Sequence, residues 1–236
     1  MVVLSLIIKC ILYPGIKLFV TSGGKEQSAG IIKDKVDELC TLIPALAREI
    51  DWRPGKTRVG KDKVIYLFKN GSWFDNVPAS ERSRGMRRQG GIMEECVGID
   101  GNILSQVIIP MMNVSRRAPD GLRHEEEPTN KFQTYVTTAG YKATFSYFKL
   151  IQYLIWMAVD PGKAFILGGS WRIPVVSGLA DRNQINDLKR DETFDQTTFE
   201  REYKTLLYSL NFVNCWKAVK INKLQHRHEI KSSVNV

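Results

Sequence analysis

Apolar positions dominate the first turns of the chain. Val2 to Leu12 is interrupted only by Ser5 and Lys9, and Tyr13-Pro14-Gly15 comes next. This pattern predicts a buried helix that stops at the proline and glycine, then a short strand, Lys17 to Thr21. Ser22-Gly23-Gly24 reads as a turn into a helix from Lys25 to about Leu39, where Ile31, Ile32, Val36 and Leu39 share one face. Val64 to Phe68 reads as a strand, Asn70-Gly71 as a hairpin turn, and Ser72 to Val77 as the returning strand. Gly91 to Met93 is a short apolar segment, followed by a helix from about Asn102 to Met112. A polar loop, Arg116 to Asn130, leads to a strand, Gln133 to Thr138. Ala143 to Ala158 predicts a long buried helix, and Ala164 to Leu167 a further strand. Two helices, about Gln184 to Arg190 and Thr197 to Leu207, close the globular part. Helices alternating with strands over short turns argue for an α/β fold with a largely parallel sheet.

The apolar opening imitates a signal peptide, but no basic residue precedes it and no A-x-A cleavage site comes after it. Lys9, Pro14, Gly15 and Lys17 break the run short of the ~20 apolar residues a membrane span needs. A chain opening in mid-core predicts a true beginning further upstream. The excess of 34 basic over 25 acidic side chains, a net +9, suits a polyanionic partner without specifying chemistry. Cysteines at 10, 40, 96 and 215 form no CxxC pair, and His124, His226 and His228 do not cluster with them. A structural zinc is therefore not expected. Scattered cysteines read as reduced thiols of a cytosolic protein, with no disulfide.

In parallel α/β sheets, functional groups gather in the loops after the strands' carboxyl ends. One such place is Gly91-Ile92-Met93-Glu94-Glu95. Adjacent carboxylates there can divide the work of holding a metal and orienting a water; the alternative is a solvated acidic pair opening a helix. A second is Tyr135-Val136-Thr137-Thr138-Ala139-Gly140, which brings hydroxyls to a strand end or simply caps the next helix. A third is the loop Ser80 to Arg88, whose Arg82, Arg84, Arg87 and Arg88 suit phosphates or a solvated basic surface. Gly23-Gly24-Lys25 is not a phosphate loop: Glu26 stands where GxxxxGK[ST] needs a hydroxyl, and the upstream spacing also fails.

Taken in order, several segments resemble the ATPase part of a tailed-phage terminase large subunit. They are YPGIKLFVTSGGKEQSAGIIKDKVDEL, NVPASERSRGMRRQGGIMEE, ILSQVIIPMMNVSRR, QTYVTTAGYKATFSYFKLIQYLIW, GGSWRIPV and TFDQTTFEREY. The resemblance runs from about Ile8 to Tyr203. It implies a P-loop NTPase-like (RecA/ASCE-type) sheet flanked by helices, with a β-hairpin insertion. It places Glu94 at the magnesium position of the Walker B strand and Glu95 as the catalytic carboxylate. Thr137 and Thr138 would lie in the coupling motif that senses the nucleotide, and Arg84 would be the arginine inserted into a neighbouring subunit's site. From the phosphate chemistry of the arginine loop itself, and not from the resemblance, Arg82, Arg87 and Arg88 are the candidate DNA contacts. ATP and Mg2+ are the implied cofactors. The implied partners are double-stranded DNA, the terminase small subunit and a portal or procapsid, with the full-length motor a homo-oligomeric ring in the bacterial cytoplasm and no membrane association.

The chain departs from the family pattern in its Glu at the usual Walker B aspartate, its missing Walker A loop, and its basic ending without a nuclease carboxylate cluster. The expected organisation is a partial ATPase domain, residues 1–203, and a divergent basic tail, residues 204–236. Such a fragment is expected to be inactive on its own. Two other readings stay open: a non-enzymatic basic DNA-binding or assembly module, and a helicase-like NTPase outside packaging.

Overall fold

The computed structural model describes residues 2–117, 121, 131–142 and 144–204. Its contacts divide into two units, Met1–Thr138 and Ala139–Val236. The first unit holds a six-stranded sheet. Its strands are β1 (Lys17–Thr21), β2 (Arg58–Val59), β3 (Val64–Leu67), β4 (Trp73–Asn76), β5 (Gly90–Glu94) and β6 (Phe132–Val136), in the order β2-β3-β4-β1-β5-β6. β4, β1, β5 and β6 are mutually parallel, whereas β2, β3 and β4 pair antiparallel. The sheet is thus a parallel core with an antiparallel hairpin ribbon on one edge, as the alternation and the Asn-Gly turn predict.

Helix α1 (Val2–Leu12) and helix α2 (Lys25–Leu42) bury one face of this sheet. Leu6, Ile7 and Cys10 of α1 and Ile32 and Val36 of α2 share a cluster with Leu18, Val20, Tyr66, Phe74 and Ile92. Each fully buried side chain of this size contributes roughly 1.5–3 kcal/mol relative to exposure. Phe19 and Met93, one position out of phase along their strands, project to the opposite face and are also fully buried.

The hairpin turn ties α1 to the sheet. Asn70 Nδ2 donates to the Cys10 and Ile11 carbonyls at 2.8 and 3.0 Å, satisfying groups that the helix end leaves unpaired. Gly71 takes φ 82°, the left-handed conformation such a turn requires.

The helix expected from Asn102 is a continuous helical run, 101–111, built from Gly101–Ile103, Leu104–Ile108 and Ile109–Met111. Asp100 caps it by accepting from Asn102 N–H at 2.7 Å. Its middle is a π turn in which Ile109 N–H bonds to the Leu104 carbonyl five residues back. Pro110 is next, and with no N–H to donate it cannot extend the regular ladder, which locates the irregularity. The run buries Leu104, Val107, Ile108 and Met111.

The second unit joins short helices through irregular segments where it is described. Its helices are Phe145–Val159, Arg172–Val176, Arg182–Leu188 and Gln196–Glu202. Phe199 is buried, with ring contacts to Phe194 at 5.5 Å and to Tyr203 at 5.1 Å.

Two expectations are corrected here. The helix beginning near residue 145 is not buried: none of its residues is, and Phe148, Leu154, Ile155 and Val159 are exposed. An apolar run marks a surface that packing can use, and the shorter helices of this unit do not enclose it. Ala164 to Leu167 is not a strand either; it is irregular, with Phe165 and Leu167 exposed. Among the described residues the strand propensity there meets no neighbouring strand, and Gly162, Gly168 and Gly169 interrupt both flanks.

Helix α3 (Pro44–Glu49), strand β2 and the Arg172–Val176 helix are too short to leave a periodic signature. The tail from residue 205, most of the 116–130 loop, and His124 lie outside the described residues.

Candidate functional site

β5 runs between β1 and β6, pairing Thr21 with Met93, Met93 with Tyr135, and Glu94 with Val136. All these strands point the same way, so Glu94, Glu95, Thr137 and the turn before α2 collect at one end of the sheet. α1 packs on the sheet through the reversal Tyr13–Ile16 that joins it to β1, so its first turn lies toward this same end.

The chain leaves β5 abruptly. Glu95 adopts φ 49°, ψ 45°, the left-handed region that a non-glycine residue enters at a cost of about 1–2 kcal/mol. A single turn, Cys96–Gly98, comes next, closed by Gly98 N–H on the Glu95 carbonyl at 2.9 Å. The kink separates the fates of the two carboxylates. Glu94 stays half-buried at the strand end, and burial, then repulsion from Glu95, raises its carboxyl above the ordinary range. Glu95 is exposed, and its Oε2 accepts from Gln27 Nε2 at 2.8 Å. Gln27 sits in the first turn of α2, just past Gly24, which offers that helix no side-chain cap.

Thr137 joins this group from the end of β6, its Oγ1 accepting from Val97 N–H at 3.3 Å. It also bonds the Cys96 thiol, which burial raises and Thr137 pulls back only in part. Thr138 is exposed beside it, at the last position before the second unit. The sequence therefore predicts residues that the fold brings together: Glu94, Glu95 and Thr137. It does not predict Gln27, because a glutamine in a first helical turn carries no sequence signal of its own.

The arginine loop divides. Arg82, Arg84 and Arg87 are exposed. Arg84 lies just after the turn Glu81–Ser83 and pairs with Glu81, both Nε and Nη2 reaching Oε2 at 2.8 Å. Arg88 does not belong with them, which corrects its expected contact with DNA. It is 8% exposed, donates to both Asp75 carboxylate oxygens at 3.1 and 2.7 Å, and lies 4.3 Å over the Trp73 ring. Its remaining arm bonds the Arg87 carbonyl at 2.8 Å, so the guanidinium is spent inside the fold. Burial raises the Asp75 carboxyl, and Arg88 offsets this only in part.

The donor set fits one side of a magnesium nucleotide: a half-buried carboxylate, an exposed one held by an amide, and a threonine. The phosphate cradle is a different matter. No GxxxxGK[ST] occurs in the sequence, and among the described residues no three His, Cys, Asp or Glu converge as a metal cluster. No described helix is long and apolar enough to cross a membrane.

No protein-family model matches the chain, and no curated protein sequence does. Solved structures do match. The large terminase of a thermophilic bacteriophage aligns at a TM-score of 0.56 with 8% identity, over 87% of this chain and 44% of that one. The HK97 bacteriophage large terminase aligns at 0.58 with 14% identity, over 83% of this chain and 40% of that one. The large terminase ATPase domain of Thermus phage P74-26 aligns at 0.54 with 15% identity, over 86% of this chain and 82% of that domain. The first of these terminases has also been solved with ADP and with ATP-gamma-S. The chain thus shares the fold of large-terminase ATPase domains, and it spans less than half the length of the first two terminases named.

Proposed function

We propose that this chain carries the acidic and coupling side of the nucleotide site of a DNA-packaging terminase motor. The observation that carries the reading is the junction of Glu94, Glu95, Thr137 and Gln27 at the carboxyl end of the parallel strands, on a fold shared with large-terminase ATPase domains. ATP with Mg2+ is the proposed cofactor, and it supplies a phosphoryl group whose transfer to water drives movement of duplex DNA. Glu94 would stand on the magnesium side and Glu95 would orient the attacking water. Thr137 and Thr138 are the last residues of the first unit, a suitable position for relaying the nucleotide's state. Arg84, exposed and paired only locally with Glu81, is the candidate for insertion into a neighbouring subunit's site. Arg82 and Arg87 are offered as DNA phosphate contacts. The proposed partners are the terminase small subunit, a portal or procapsid and further copies in a ring, in the cytoplasm of a bacterial host.

The phosphate cradle is not in this sequence, so the full chain is expected to show no ATP turnover above background. It is expected to retain weak Mg2+-dependent binding of a fluorescent ATP analogue, and this should be lost in Glu94→Ala. Turnover that disappears in Glu95→Gln would overturn the inactivity while upholding the carboxylate's role. Absence of any nucleotide binding, together with salt-sensitive DNA binding, would favour a non-enzymatic DNA-binding or assembly module. That second reading draws on the same missing loop and on the exposure of Arg82 and Arg87.

A further inference from the structure

At the opposite end of the strands lies a cavity of about 870 Å³. It opens beside Lys69, just past β3, where Leu67 pairs with Trp73 and Trp73 in turn lies level with Lys17 at the start of β1. Buried Ile50 and Asp51 and half-buried Ala47 line its inner side, and Ile50 is anchored there by a bridge to Phe68. Arg48, Trp52, Arg53 and Lys69 line the rest and are exposed.

Trp52 is held in place although 54% of it is exposed. Its indole N–H donates to the Ala47 carbonyl at 2.9 Å. Its ring meets Tyr66 edge-on at 6.1 Å, and Tyr66 is fully buried and stacked on Phe74 at 5.5 Å. The indole's polar atom is thus already satisfied and its orientation already set, so what it offers to solvent is a fixed π surface. A platform ordered in advance loses less entropy when a planar ligand stacks on it.

The charges beside it differ in availability. Arg53 is committed to Asp51 through two bonds, 2.8 and 2.6 Å. That pairing holds the Asp51 carboxyl down at about 2, so the pair stays neutral overall. Arg48 and Lys69 have no ion pair among the described residues. Lys56, whose N–H bonds to the Arg53 carbonyl at 3.1 Å, adds a cation to the same loop.

A fixed aromatic face with unpaired cations in the same lining matches a nucleobase with its phosphates. A duplex offers no free base face, and an acidic peptide would use the cations but not the indole. We infer that this cavity binds single-stranded nucleic acid, stacking a base on Trp52 and meeting backbone phosphates with Arg48 and Lys69. The inference does not rest on the ATPase reading, since its residues are at the other end of the sheet from Glu94 and Glu95.

The test is fluorescence anisotropy of the full chain with a labelled oligothymidine strand, a duplex of matching length and a polyglutamate competitor. Trp52→Ala should weaken single-strand binding by roughly tenfold or more, with duplex binding and the salt dependence unchanged. Trp52→Phe should keep most of the affinity. Arg48→Gln and Lys69→Gln should each flatten the slope of log affinity against log salt by about 0.7, a readout that stands even if Trp52→Ala does not fold. Equal losses on duplex, no loss in Trp52→Ala or unchanged slopes would overturn the proposal. So would polyglutamate that competes equally well with wild type and Trp52→Ala. Glu95→Gln should leave single-strand binding intact, which keeps the fate of this site separate from that of the nucleotide site.

Discussion

Glu94 and Glu95 are adjacent in the chain, yet the fold gives them different chemistry. The left-handed turn at Glu95 throws its carboxylate out to Gln27, while Glu94 stays at the half-buried strand end. A carboxyl raised by burial and by a like charge favours the native state when protonated. Its stabilising contribution is complete below the ordinary carboxylate pKa, and is lost as the pH rises through the raised value. Glu94→Gln should therefore raise the melting temperature at pH 7, and the gain should vanish on acidification below the ordinary carboxylate range. A pH series of thermal unfolding curves checks this. A variant less stable than wild type at pH 7 would mean that Glu94 has a stabilising partner which outweighs its burial. The same dependence on environment separates Arg88 from Arg82, Arg84 and Arg87. In the sequence the four differ little; in the fold Arg88 alone meets a buried carboxylate.

Among the elements, β5 owes its place to two glycines. A Cβ on Gly91 would lie 2.4 Å from the Phe19 ring, and one on Gly90 would lie 2.6 Å from the Phe132 carbonyl oxygen. The strand can lie between β1 and β6 in this register only because both positions lack a side chain. Gly91→Ala should destabilise the protein by about 1–3 kcal/mol, the usual range for overpacking, read as a lower urea midpoint. An unchanged midpoint would show that Phe19 can move aside without cost. Periodicity made most of these elements legible. Val2–Leu12 and Lys17–Thr21 form with the expected ends, and the hairpin closes at Asn70-Gly71. Ala164 to Leu167 shows the limit of such reading, because a strand needs a partner and an apolar run does not reveal whether one exists.

For the molecule as a whole, the first unit contains its own core. The principal buried cluster runs from Val3 to Ile92, with partly buried Phe132 and Val136 packed against it, all before the boundary at Thr138. A fragment ending at Thr138 should therefore fold by itself and unfold in one cooperative urea transition, retaining the sheet by circular dichroism. A fragment that stays unfolded, or melts without cooperativity, would show that the core depends on the chain beyond Thr138. Because Thr137 bonds the turn at Cys96 and Val97, the end of the first unit is tied directly to the segment that carries the two carboxylates.

The sequence by itself determined the order of helices and strands, the hairpin, the parallel α/β class and the gathering of acids and hydroxyls after two of the strands. Those come from local rules: side-chain periodicity, the turn preference of Asn-Gly, and the directionality of parallel strands. The tertiary structure decided which of the like residues are available for chemistry. Gln27 reaches Glu95 across 68 positions of the chain, and Arg88 finds Asp75 across 13. Trp52, outside any strand, is held against Tyr66 of β3. Burial, pairing and pKa depend on such neighbours, which the fold brings together from distant parts of the chain and which no local pattern records.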